Sequence, residues 1–446
     1  MKRKWILLIV LSLMFSIASA TAQAQTQRLI VRDKLGLQGI HASCLILGCT
    51  VLNGLGDPLG QVFLVTVNNL NLTKILSLLP LQLGVLSVEV DQLLSLTSPI
   101  LGPIPQELDD TFPVKYYSGF VWHGYLTQQG NQIIRTSQTQ SAFHVSGAGT
   151  VAVIDTGIDT HHPAFVGVLL PGYDFTRNVT GADETGDLDH STAAVLDGGP
   201  ETPAYVNPSV AAVLSKGAAS ALSNPNYSSF GHGTMTAGLV HLVAPTAKLL
   251  PLKAFGSNGS GYVSNVVRAI YFATSNHANV ISMSFSFATS SPTLTNAIAS
   301  ANTAGVICVA AAGNSGKEVS VYPASLAQVM GVASTSNTDV QSSFSNYGPQ
   351  VVWVAAPGED VMSTYPGATY ASSSGTSFST PLVAGTAALL VSVNPTVKES
   401  SAASAIAHAK WLSTNLNNGR LDTYQAVNAW INTSKARTRV PTFPQQ

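Results

Sequence analysis

The sequence predicts an α/β protein: a large three-layer domain on a mostly parallel sheet, preceded by a small α+β unit. Continuously apolar runs recur through the later two thirds of the chain, at 151–154, 248–255, 280–285, 306–310, 329–333 and 351–355. Segments of helical spacing lie between several of them, notably 263–275 and 293–304. Apolar strands alternating with helices imply a parallel sheet covered on both faces. The first hundred residues have a different rhythm: strand-like 28–32, 61–67 and 85–90 enclose helical stretches near 37–47 and 72–79. That pattern fits an α+β unit of about seventy residues. The 446 residues, 45% of them hydrophobic, suffice for both cores.

The chain opens with Lys2, Arg3 and Lys4, then an apolar run over 5–17, then Ala18-Ser19-Ala20. A basic head, a short apolar middle and small residues make residues 1–24 a secretory signal peptide, with cleavage after Ala20, Ala22 or Ala24. A membrane anchor needs about 18–20 apolar residues, and no second such run follows, so a soluble, secreted or periplasmic mature protein is expected. Only 10% of residues are charged and the net charge is −1, which argues against nucleic acid as a partner and against an acidic tail. Of three cysteines, Cys308 sits in an apolar strand as a small hydrophobe, and Cys44 and Cys49 are close enough to pair in an exporting compartment. The Pro- and Gly-rich 98–105 begins a linker and maturation region placed at 98–141, and polar, basic 433–446 reads as a disordered tail.

Three motifs carry the chemistry: Val151-Ala152-Val153-Ile154-Asp155-Thr156-Gly157, Gly231-His232-Gly233-Thr234 and Gly375-Thr376-Ser377-Phe378-Ser379. An acid, an imidazole and a hydroxyl are the parts of an activated serine. Asp155 stands past the carboxyl end of a strand, where sites form in open α/β sheets. Glycines on both sides of His232 permit a close backbone path, which a base needs to reach the hydroxyl. Ser377 precedes Thr380-Pro381 and an Ala-rich helical stretch, so it lies at a helix N-terminus where N–H groups favour an oxyanion. A helix-capping serine fits the same position, and only the companion motifs separate the two readings.

These motifs, in the order Asp, His, Ser, resemble the subtilisin-like serine peptidase family from about Ala142 to Trp430. The resemblance implies a three-layer subtilisin-like peptidase domain at 142–432 and a ferredoxin-like inhibitory prodomain at 26–97. It implies Asp155, His232 and Ser377 as the triad, with Asn314, after Ala311-Ala312-Gly313, as the oxyanion amide. It makes Ser284, Phe285 and Ser286 one substrate wall, with Gly259, Ser260 and Gly261 the other, both pairing with extended substrate, and counts Ala311, Ala312 and Gly313 among the substrate-binding residues. His162, followed by Pro163, matches a structural position of the family. The expected activity is a broad-specificity, autoprocessed, monomeric endopeptidase acting on proteins or peptides. The alternative is a catalytically silent binding protein on the same fold; a processing enzyme for one basic motif is disfavoured, as the walls carry no carboxylate.

The chain departs from the family in four places. Asp155 and His232 lie 77 positions apart, which implies an inserted loop at 181–226. Asp183, Glu184, Asp187 and Asp189 cluster there; a solvated acidic loop is the simpler expectation and a calcium site the other. The family's strong calcium site is expected to be absent, because Ala164 replaces its acidic ligand and 242–245 runs directly into the next strand; no cofactor is implied. Ser286 and Val321 stand where smaller residues line the specificity pocket, implying small or medium apolar P1 residues, and Phe378 replaces an oxidisable Met beside the nucleophile.

Overall fold

A computed structural model of the chain describes residues 26–96, 103–196, 202–207 and 210–438. The signal peptide, the first residues of the linker and the end of the tail lie outside them.

The small unit follows from alternation along its strands. β1 (Thr26–Asp33), α1 (Gly36–Leu47), β2 (Thr50–Gly54), β3 (Val62–Asn68), α2 (Leu72–Leu78) and β4 (Val85–Val90) form an antiparallel sheet of order β2–β3–β1–β4, the expected ferredoxin-like arrangement. Leu29 and Val31, opposite Val65 and Phe63, share a core with Ile40, Cys44 and Ile75 of the helices. Ile30 and Leu64 point the other way and join a core of the large domain. A period of two thus lets one strand pair serve two cores. Cys44 and Cys49 form a disulfide across the turn that ends α1. β5 (Leu93–Ser95) leaves this sheet and pairs with the large domain instead.

The expected linker at 98–141 is corrected over most of its length. β6 (Pro113–Tyr116) and β7 (Gly119–Trp122) form a hairpin, and α3 (His123–Thr127), α4 (Gln129–Ile133) and α5 (Thr136–Phe143) follow. Aromatic burial with satisfied hydroxyls binds this stretch to the large domain. Buried Tyr125 donates its hydroxyl to the Gly238 carbonyl at 2.5 Å, and Tyr116 donates to that of Leu242 at 2.8 Å. Gln128 both donates to and accepts from the backbone of Met362. Elements this short leave little periodic signal in a sequence.

β8 (Thr150–Asp155), β9 (Tyr173–Asp174) and β10 (Val179–Thr180) lead into the expected inserted loop at 181–226, which has secondary structure of its own. It contains α6 (His190–Leu196), β11 (Thr202–Asn207), β12 (Val210–Leu214) and α7 (Lys216–Leu222). The run VAAVL of β12 is wholly buried because it pairs antiparallel with a later strand, Val210 opposite Ser373. Then come α8 (His232–Val243), β13 (Lys248–Lys253), β14 (Ser260–Tyr262), α9 (Val263–Ser275), β15 (Val280–Met283), α10 (Pro292–Thr303), β16 (Ile307–Ala311), β17 (Val329–Thr335) and β18 (Val354–Pro357). The last strand starts three residues later than the run at 351–355 suggests. β19 (Val361–Tyr365) and β20 (Thr369–Ser373) precede α11 (Thr376–Val393), α12 (Glu399–Ile406) and α13 (Thr423–Thr438).

The main sheet runs β10–β9–β13–β8–β15–β16–β17–β18, parallel from β9 onward. Val151 and Val153 face one layer with residues of α8 and α11, whereas Ala152 and Ile154 face α9 and α10. Burial on both faces explains why these strands are apolar without alternation. Among the described residues α11 is the one helix long and apolar enough to cross a membrane, and it lies buried in this core. The disordered tail is corrected at its start: α13 continues past 433, held by Ala426, Val427 and Trp430 on its packed face.

Candidate active site

Asp155 ends β8 at the carboxyl edge of the sheet, buried. Its Oδ1 accepts from the Thr156 N–H at 2.7 Å and from His232 Nδ1 at 2.7 Å, and its Oδ2 accepts from the Thr236 hydroxyl at 3.1 Å. Two glycines allow the imidazole to arrive there. Gly231 has φ 84°, and a Cβ on it would lie 2.2 Å from the Tyr365 ring. A Cβ on Gly233 would lie 2.0 Å from the Gly157 carbonyl oxygen. The first turn of α8 therefore presses directly on the corner after β8. Burial opposes a charged imidazole at His232, but the charge and hydrogen bond of Asp155 and the charge of Glu184 outweigh it, so the pKa is raised above 6.5.

With Nδ1–H donated to Asp155, Nε2 is the free lone pair of the neutral ring. Ser377 is the second residue of α11, and the ring of the next residue, Phe378, lies 5.4 Å from that of His232. The Ser377 hydroxyl itself donates to the Ser284 carbonyl at 2.8 Å, not to the imidazole. The arrangement thus joins Asp155 to His232 and brings the start of α11, which bears Ser377, alongside the imidazole.

Asn314 follows β16 and Ala311-Ala312-Gly313. Its Oδ1 accepts from the N–H and hydroxyl of Thr376 at 2.9 and 2.8 Å, which fixes the amide at the N-terminus of α11. Its Nδ2 lies 3.1 Å from where a Gly375 Cβ would be. An amide donor and the first N–H groups of a helix converge beside Ser377, a setting suited to developing negative charge.

Ser284, Phe285 and Ser286 follow β15. Phe285 packs into the core against Phe255, ring centroids 5.1 Å apart, while the Ser286 hydroxyl reaches to 2.9 Å from the Cβ position of Gly313. The segment expected as the second wall is covered by the chain itself. Ser260 pairs with Ser95 and Gly261 with Leu94, antiparallel, and the Leu96 N–H donates to the Gly259 carbonyl at 2.9 Å. His162 is buried, accepting from the Ala164 N–H and bonded through Nε2 to the Thr369 carbonyl at 2.9 Å, a structural place linking two elements.

The expected solvated acidic loop is corrected by its own carboxylates. Asp187 accepts from buried Lys253 Nζ at 2.6 Å and from the Ser257 N–H at 2.9 Å. Glu184 is fully buried beneath the start of α8. Sequence reasoning placed Glu184 in a solvated acidic cluster and missed Lys253 and Thr236; no local motif marks the place of any of them.

A model of the subtilase family matches residues 147–428. The chain belongs to the subtilase family. Thermitase of Thermoactinomyces vulgaris is 36% identical over 275 residues, which cover 59% of this chain and 82% of thermitase. Subtilisin Savinase of Lederbergia lenta is 43% identical over 174 residues, 37% of this chain and 64% of Savinase. The thermostable alkaline protease of Halalkalibacterium halodurans is 41% identical over 192 residues, 41% of this chain and 53% of that protein. A cold adapted subtilisin-like serine proteinase of known structure is 26% identical, covering 62% of this chain and 87% of its own at a TM-score of 0.49. Membership of the subtilase family makes this protein a serine-type peptidase with the three-layer α/β fold that its sequence predicts.

Proposed function

We propose that the protein is a secreted serine endopeptidase, made as a precursor that processes and inhibits itself. The observation that carries the catalytic reading is the buried Asp155–His232 hydrogen bond of 2.7 Å, next to the helix start that bears Ser377. His232 Nε2 takes the Ser377 proton as Oγ attacks the substrate carbonyl, and Asp155 steadies the imidazolium. The Asn314 amide and the Ser377 N–H stabilise the tetrahedral oxyanion. The imidazolium then protonates the leaving amine, and a water deprotonated by the same nitrogen releases the acyl group. Since His232 must be neutral to act, kcat/KM falls on acidification, from a point above the ordinary imidazole value of 6.5.

Inhibition by the small domain is supported by β5, which lies as an antiparallel strand on the wall that substrate would use. Secretion is supported by the basic head, apolar run and small residues of 1–24. In the full chain, Ser377→Ala should reduce peptide hydrolysis by roughly 10⁴-fold or more and leave the precursor at full mass. Equal hydrolysis by both proteins would overturn the assignment.

The pocket for the residue before the scissile bond is narrowed by Ser286, whose hydroxyl leans towards Gly313, so small and medium apolar residues are preferred. Ser286→Gly should raise the kcat/KM for Phe relative to Ala about tenfold in matched peptides. An unchanged ratio would remove Ser286 from the pocket.

A further inference from the structure

Glu184, in the inserted segment, is fully buried, and every donor around it belongs to a residue that frames the base. Its Oε2 accepts from the hydroxyl of Thr156, directly after Asp155, and from the N–H of Gly231, directly before His232, both at 2.9 Å. Its Oε1 accepts from the Thr234 N–H at 3.1 Å and from the Thr234 hydroxyl. Gly231 is the N-cap of α8 and Thr234 its third residue, so this carboxylate receives two of the unpaired N–H groups of the helix start. The Thr156 hydroxyl in turn accepts from the Gly233 N–H at 2.9 Å, closing a ring of bonds around His232.

We propose that Glu184 is a positioning residue for His232, its ionised carboxylate holding the first turn of α8 and the Asp155–Thr156 corner in register. The inference rests on the catalytic reading of Asp155, His232 and Ser377 given above. Four donors converge on two oxygens, and a protonated carboxyl would have to turn its own O–H towards one of them. The charged form is therefore the one the surroundings fit. Lys253 faces it from β13, giving its ammonium to the carbonyls of Thr156 and Phe255 at 2.6 and 2.8 Å and to Asp187. Tyr365 of β19, His232 of α8 and Asp155 of β8 complete the titratable surroundings, with Asp183, Asp187 and Arg177 in or beside its own segment. Burial raises the Glu184 pKa; the Thr234 hydroxyl, Lys253, Thr156 and Gly231 pull the other way, and it stands at about 7. Glu184 thus loses its proton near neutrality, and its negative charge is one of the causes that raise the His232 pKa.

The test compares the full chain, Glu184→Gln, Glu184→Asp and Ser377→Ala, with active sites counted by a serine-directed covalent reagent. The wild type should lose activity on the acid side more steeply than the about tenfold per pH unit of Glu184→Gln, whose acid limb also moves to lower pH. On the alkaline plateau, Glu184→Gln should lose about 10- to 100-fold in kcat per active site with KM within twofold, the scale of a slightly misplaced base. Glu184→Asp keeps the charge but not the reach, so kcat falls while the steep limb stays. A purely structural role would lower the number of titrated sites or the melting temperature and leave the limb unchanged. Wild-type kcat and acid limb in Glu184→Gln would overturn the proposal; if that variant does not fold, unchanged kcat in Glu184→Asp overturns it. Undiminished hydrolysis by Ser377→Ala would instead strike the catalytic reading, which keeps the two failures distinct.

Discussion

α8 and α9 begin in the same chemical way and differ in which domain supplies the anion. The start of α8 is capped by Glu184, a carboxylate of the large domain itself. The start of α9 is capped by Asp91 of the small domain, whose Oδ1 accepts from the Ser264 N–H and whose Oδ2 accepts from the Ser264 hydroxyl, both at 2.8 Å. Arg28 orients that carboxylate at 2.8 Å and lays its guanidinium 3.9 Å over the Tyr262 ring. α10 repeats the second pattern, with Glu89 accepting from the Thr293 N–H at 3.0 Å. An anion at a helix start stabilises it wherever the anion comes from. A cap within one domain persists when the chain is cut, whereas one from a separable domain departs with it. On the proposed reading, a permanent cap suits the helix that bears His232, and removable caps suit a docking surface.

The largest effect should come from removing the removable caps. In the full chain, Glu89→Gln with Asp91→Asn leaves one acceptor oxygen where each carboxylate has two and turns an NH2 towards the donors of Ser264 and Arg28, which should weaken docking by roughly 10- to 100-fold. Hydrogen exchange at Ser264 and Thr293, measured in the Ser377→Ala chain so that nothing is cleaved, reads this directly. Unchanged protection would break the comparison. The pH dependence sharpens it. Burial raises the Asp91 pKa above 3.8, despite the Ser264 N–H and the Arg28 charge. A raised carboxyl favours the docked state most below its free value and loses that contribution as pH rises through its docked value. Acidification from about pH 6 to 4 should therefore not loosen the small domain through this group, and Asp91→Asn should abolish any tightening. Loss of Ser264 protection over that range, absent in Asp91→Asn, would refute this sign.

The same contrast explains what could be read from the chain. Asp155, His232, Asn314 and Ser377 each sit where a strand ends or a helix begins, and their requirements lie within a few residues: Gly231 and Gly233 for the approach to Tyr365 and Gly157, Ala311-Ala312-Gly313 before the amide. Such requirements leave local motifs. Glu184 has partners 47 and 50 positions away, among charged and glycine neighbours that read as solvated. It is buried because 182–184 returns beside Ile158, whose N–H donates to the Ala182 carbonyl at 2.9 Å. No periodicity announces that return. Tyr125 was illegible for a related reason, since its helix has five residues and its partner carbonyl at Gly238 is 113 positions away. The strands of the main sheet were legible because burial on both faces makes them apolar throughout, a signal that needs no partner.

The smallest expected effect concerns metal, and it follows from where the inserted segment spends its charge. Asp183 accepts from the N–H and hydroxyl of Thr185 at 2.9 and 2.7 Å, and Asp187 from Lys253 and Ser257. The Ser191 hydroxyl, the Thr192 N–H and the Tyr227 hydroxyl hold the Asp189 carboxyl well below the usual carboxylate range. Glu184 is enclosed by its four donors. Among the described residues, no group of three or more His, Cys, Asp or Glu side chains is set to hold a metal ion. Oxygens that accept from fixed donors have their lone pairs directed away from any common centre, whereas calcium needs six to eight oxygens turned inward. We therefore expect a chelator to shift the melting temperature of the Ser377→Ala chain by less than about 1 °C. A fall of several degrees, restored by calcium, would mean that these carboxylates rearrange around an ion. The permanent cap of α8 would then be metal-dependent, and the distinction between the two kinds of helix start would need redrawing.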